Sequence, residues 1–133
     1  MLQIGAAVLG TGLVFGVLDA IWLTLMGSRL YKPVLGDMLR DTPAIGPAAA
    51  FYIIYVIGIV IIAVLPGVRE ASLTKTLGTA AVLGIMAYAT YDLTNQATLR
   101  TWSTSITVAD ILWGCFVTTA AAAGGWYAAR LVA

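Results

Sequence analysis

Ile45-Gly-Pro-Ala-Ala-Ala-Phe-Tyr-Ile-Ile-Tyr-Val-Ile-Gly-Ile-Val-Ile-Ile-Ala-Val-Leu65 contains no charged residue. As a helix rising ~1.5 Å per residue, a run of this length crosses the ~30 Å of bilayer hydrocarbon. Pro47 falls in its first turn, where a missing N–H costs nothing, and Pro66-Gly67 is expected to stop it. Tyr52 and Tyr55 stand one turn apart in its first half. Their hydroxyls belong either to a site inside a bundle or to an aromatic belt at the headgroups.

Three further segments flank this run, and the helices are expected at about 2–26, 45–65, 77–99 and 106–132 of a single domain, 1–133. The fold class is therefore all-α: an integral membrane four-helix bundle with both termini on one side and loops one and three on the other. Composition agrees, with 61% hydrophobic residues, 10% charged and a mean hydropathy of +0.97. A soluble domain is about a quarter charged. No basic residue precedes the first apolar run, so that run is expected to be retained rather than cleaved.

The same numbers exclude several functions. A net charge of +1 argues against a nucleic-acid partner. With no His and Cys115 as the lone thiol, neither an internal disulfide nor His ligation of haem or zinc is available. No glycine-rich phosphate loop appears, so no cofactor is expected.

The polar residues are concentrated. Tyr88-Ala-Thr-Tyr-Asp-Leu-Thr-Asn-Gln-Ala-Thr-Leu-Arg-Thr-Trp102 closes the third segment with an acid, two amides, two tyrosines and four threonines. At the end of a membrane helix such groups cost free energy unless paired or used. Asp19 and Trp22 lie late in segment one, Asp92 and Asn95 late in segment three, and Asp110 and Trp113 early in segment four. Antiparallel threading puts all three acids in one half of the membrane, with Tyr52, Tyr55, Tyr88 and Tyr91. The opposite half is glycine, alanine and aliphatics. Three small-residue stripes, Gly12 with Gly16, Gly78-Ala81-Gly84, and Gly114-Thr118-Ala121-Gly125, are expected to pack helices together. Arg29, Tyr31 and Lys32, in a loop drawn from Gly27 to Ala44, are expected to be interface anchors.

Asp19-x2-Trp22 recurs as Asp110-x2-Trp113. At i, i+3 an indole shares a face with its acid and can shield it or donate to it. Three carboxylates meeting in low dielectric cannot all stay ionised alone. Arg29 or Arg100 folds back to pair, or Asp and Asn oxygens hold a hard cation such as Mg²⁺ or Ca²⁺, or a proton is retained. The balance favours the proton, with no resident metal. A polar knot that merely fixes helix register is the bland alternative.

The central motif, together with Asp19-Ala-Ile-Trp22, Phe51-Tyr52 with Tyr55, and Asp110-Ile-Leu-Trp113-Gly114, resembles a family of small bacterial inner-membrane proteins, domain of unknown function 2177. The resemblance implies a multi-pass protein of the bacterial inner membrane with four helices and no established activity. The residues themselves point to binding or transport of a small amphipathic ligand, a lipid headgroup, or a cation or proton. The other readings are a membrane-embedded enzyme using Asp92 and Asp110 on a lipid, and an accessory subunit of a larger complex or homo-oligomer. Counting basic groups on the two faces gives a tie, so orientation stays open.

Overall fold

The computed structural model describes residues 1–133, all helix and turn. Four long helices form a bundle: α1 (Leu2–Met26), α2 (Ile45–Arg69), α3 (Leu73–Thr98) and α4 (Thr104–Leu131). Three of them, α1 with its extension, α2 and α4, are long and apolar enough to cross a membrane. The third, α3, is as long but more polar. The outward faces are aliphatic: Leu9, Leu13, Ile54, Met86 and Leu112 are all exposed.

Helix α4 is the centre of the bundle, packed along most of its length against α1 on one side and α3 on the other. Both pairs run antiparallel. Gln3 Nε2 donates to the Ala129 carbonyl at 3.4 Å, so the two chain termini share one end of the bundle. The core is small side chains with a few large ones, chiefly Ala7, Phe15, Ile59, Val64, Val117 and Ala121. Glycine sets the closest approaches. A Cβ on Gly10 would lie 2.7 Å from Ala128 Cβ, and one on Gly84 would overlap the Gly114 carbonyl and lie 2.9 Å from Thr118 Cβ. Thr11 Oγ, buried with no N–H or O–H partner, sits directly over Gly125. A glycine Cα–H is the donor available to it there.

Four sequence expectations are corrected. Gly27 to Ala44 is not all loop: helical structure continues through a π turn (Gly27–Tyr31) and a short α turn (Lys32–Leu35) to a 3₁₀ turn (Gly36–Met38). Gly36, at φ 50 and ψ −122, breaks the α geometry. Nor does Pro66-Gly67 stop α2. A π turn at Val60–Val64 widens the backbone one turn ahead of Pro66, where the Leu65 N–H reaches back to the Val60 carbonyl. That makes room for a ring that would otherwise press on the preceding turn. Helices α3 and α4 start earlier than 77 and 106, because Ser72 and Ser103 cap them: their hydroxyls accept from Lys75 N at 3.1 Å and Ile106 N at 3.2 Å. The Gly12–Gly16 pair packs only in part: a Cβ on Gly12 would touch Val56 of α2 at 3.6 Å, but one on Gly16 would meet nothing within 4 Å. The buried stripe of α3 is Thr76, Ala80, Gly84 and Asp92, while Gly78 faces outward.

Candidate functional site

The acids gather where α1, α3 and α4 meet, at the end opposite the termini. Asp19 is 8% exposed, Asp110 5% and Asp92 0%. The antiparallel register of α1 and α4 sets Asp19 level with Trp113, and Trp22 level with Asp110. Neither indole bonds its own motif's acid: Trp113 turns to Asp19, and Trp22 reaches Asp110 only through Tyr31. Trp113 Nε1 points to Asp19 Oδ1 at 3.4 Å. Trp22 Nε1 donates to the Tyr31 hydroxyl at 2.9 Å, and that hydroxyl donates to Asp110. The two indoles stack between the acids, 4.6 Å apart and inclined by 9°. Such a stack contributes ~1 kcal/mol beyond its buried area. The in-motif pairing expected from i, i+3 spacing gives way to Trp113 and Tyr52 at Asp19, and to Tyr31 at Asp110.

Asp19 takes a second hydrogen bond from the Tyr52 hydroxyl. Tyr52 also packs edge-on against Phe15 at 5.5 Å. Tyr55 OH and Thr118 Oγ are hydrogen-bonded at 2.7 Å, and the Tyr55 ring meets Tyr88 at 6.3 Å. Tyr88 lies over Gly114, where any Cβ would strike its ring.

Asp92 stands apart. Neither of its oxygens receives a hydrogen bond from an N–H or a hydroxyl. Its carboxyl faces that of Asp110 within hydrogen-bonding reach. Neither Arg29 nor Arg100 folds back: the chain's ion pair is Lys75–Glu70, at the surface. The acids do not assemble into a metal cage either, since no three His, Cys, Asp or Glu side chains come together. Instead of one three-acid cage there is an Asp92–Asp110 pair, in which Tyr31 caps Asp110 and Asp92 has no donor, and a separately bonded Asp19.

Two of the expected site residues lie at the rim. Tyr91 is 58% exposed, edge-on to Trp102 at 5.9 Å. Asn95 is half-buried beside it. Others enter that the sequence did not single out. Thr107, buried, donates to Gln96 Oε1 at 2.7 Å and accepts from Trp102 Nε1 at 3.0 Å. Gln96 Nε2 donates to Thr104 at 3.0 Å. Tyr31, expected as an interface anchor, instead enters the site because of the π turn. It lies nine positions past Trp22, which in unbroken α-helix is roughly 180° away, and the extra residue of a π turn rotates it back by about 100°.

The family model described as "Predicted membrane protein (DUF2177)" matches residues 4–127. The chain belongs to that family. The match reaches into all four helices and takes in every residue of the acid centre. No curated protein and no solved structure matches.

Proposed function

We propose that this membrane protein of the DUF2177 family is a proton-linked binding or transport module, its proton carried by the Asp92–Asp110 pair. One observation carries the reading: Asp92 is wholly buried, no N–H or hydroxyl donates to it, and the carboxyl of Asp110 faces it. Two carboxyls can bond to each other only if one keeps its proton. A carboxylate buried at membrane depth without donor or cation is costly, so an acid there is a functional element by default. The ligand of this reading is a small amphipath or lipid. In its support, an apolar groove of about 630 Å³ between α1 and α2 is lined by Gly12, Gly16, Val56 and Tyr52, the last bonded to Asp19. The setting is a bacterial inner membrane crossed by all four helices.

The test is infrared spectroscopy of the protein in lipid, which sees the C=O stretch of a protonated carboxyl. Wild type shows such a band at neutral pH, and Asp92→Asn and Asp110→Asn each abolish or shift it. Proteoliposomes loaded with a pH-sensitive dye then report whether candidate amphipaths move protons with them. Absence of the band would sink the reading.

A further inference from the structure

Granting the proton on Asp92–Asp110, the structure also shows how the pair is enclosed, and the enclosure differs at its two ends. Towards the termini the pair is sealed by contacts with no spare room: Tyr88 against Gly114, Gly84 against Gly114 and Thr118, then buried Ala80, Val117 and Ala121. Towards loops one and three the seal is a layer of hydrogen bonds. Tyr31 caps Asp110, and Thr107, Gln96 and Trp102 close the space between α3 and α4. The extension carrying Tyr31 reaches across the bundle, where Thr101 Oγ contacts Met38 Sδ at 2.7 Å.

The hydrogen bonds in that layer all point the wrong way for a relay. An indole N–H only donates, and an amide does not pass protons on. Trp22 N–H feeds Tyr31, and Tyr31 O–H feeds Asp110. Trp102 N–H feeds Thr107, whose proton goes to Gln96 Oε1. Each chain starts at an indole, so neither connects the pair to water. The layer is a lid, not a wire.

We infer that Tyr31, carried on the Gly27–Met38 extension, is the gate of the acid pair, and that the pair exchanges its proton only with water on the side of loops one and three. The titratable groups facing the pair are Asp19 from α1, Tyr31 from the extension, and Tyr88 and Tyr91 from α3. Tyr55 of α2 lies behind Tyr88. None is basic, so nothing in the chain replaces the proton once it leaves. Opening requires Tyr31 to release Asp110 and swing away with its half-exposed extension, while the glycine seam stays shut.

The experiment uses the full chain in uniformly oriented vesicles, with a pH jump on one side at a time and the carboxyl band followed in time. A jump on the loop side changes the band promptly, and a jump on the terminal side does not. Tyr31→Phe keeps the ring and removes the cap, so exchange quickens roughly tenfold or more, the factor equivalent to about 1.4 kcal/mol for one lost hydrogen bond. Trp22→Phe leaves the Tyr31–Asp110 bond but frees its other end, and quickens exchange less. Slower exchange in Tyr31→Phe would make Tyr31 a relay and overturn the gate, as would unchanged exchange. A prompt response from the terminal side would overturn the one-sided access. A wild type with no carboxyl band would remove the proton itself, which is a failure of the underlying reading and distinct from these.

Discussion

At the level of Gly84, α3 and α4 approach so closely that a Cβ between them would overlap backbone. Two turns further along the same pair of helices, at Asp92, the interface holds two facing carboxyls and no donor for one of them. The first contact is dispersion and weak Cα–H bonding at short range, the cheapest way to join helices where apolar burial from water is absent. The second adds nothing of that kind and brings like groups together. A bundle needs contacts of the first sort to tolerate the second. The terminal half therefore works as the clamp, and the loop half is where the fold accepts a cost for use.

The sharpest way to break this comparison is to put the same small change into both kinds of glycine. Gly84→Ala inserts a methyl where it overlaps the Gly114 carbonyl, and backbone cannot yield as a flexible side chain would. A loss of ~3 kcal/mol is expected in thermal or denaturant unfolding in detergent. Gly16→Ala, with open space around it, should stay within ~0.5 kcal/mol. Equal losses would mean that the clamp is not where the structure puts it.

The next effect separates a coupled pair from independent packing. In a double-mutant cycle, Asp92→Asn and Asp110→Asn should show an interaction term of ~1–3 kcal/mol. Either single change leaves an amide that can donate to the remaining carboxylate, replacing the shared proton. The double change leaves two amides with no charge to stabilise. Additive losses would reduce the pair to a polar spacer.

Much of this contrast is legible in the sequence, because it depends on composition at each depth. Four apolar segments, antiparallel threading and the late or early placement of Asp19, Asp92 and Asp110 suffice to gather the acids at one end. What the sequence hides is rotation and register. Gly12–Gly16 reads as a packing seam, but nothing in its spacing says that it faces a groove while Gly10 meets Gly124. The two Asp-x2-Trp motifs show which residues share a face, yet the donors that reach their acids, Trp113 at Asp19 and Tyr31 at Asp110, come from far away in sequence. Tyr31 is out of reach for a different reason. A π turn leaves no mark in hydrophobic periodicity, and each one shifts every later residue by about 100°. Proline and glycine near Gly27 and Pro66 look like stops when the backbone can absorb them by widening a turn.

A smaller effect sharpens the division inside the loop half. Tyr52→Phe removes the hydroxyl that donates to Asp19, leaving the carboxylate with only the 3.4 Å contact from Trp113. A loss of ~1–2 kcal/mol follows from a donor removed from a buried acid. Tyr55→Phe breaks a neutral bond to Thr118 and should cost less, ~1 kcal/mol. If Tyr55→Phe proves the more damaging, Asp19 is held by something other than these two donors, and the separation of Asp19 from the Asp92–Asp110 pair fails with it.

The smallest signal comes from Cys115, the only thiol, which sits where the two halves meet. It follows Gly114, the glycine under Tyr88, and is half-buried. Five residues past Asp110, it lies ~7.5 Å further along α4 and about 140° around it. That turns it away from the carboxyl pair and puts it beyond the Tyr88 seal. Water that reaches the pair through an opened lid should therefore stop short of it. A charged, membrane-impermeant maleimide should label Cys115 very slowly in intact vesicles, and Tyr31→Phe should leave that rate unchanged even as proton exchange at the pair quickens. A small apolar maleimide delivered through the lipid should react faster than the charged one. Rapid labelling by the charged reagent would show that water runs past Gly114 into the clamp, and labelling that quickens in Tyr31→Phe would show that the lid guards a channel rather than a blind site.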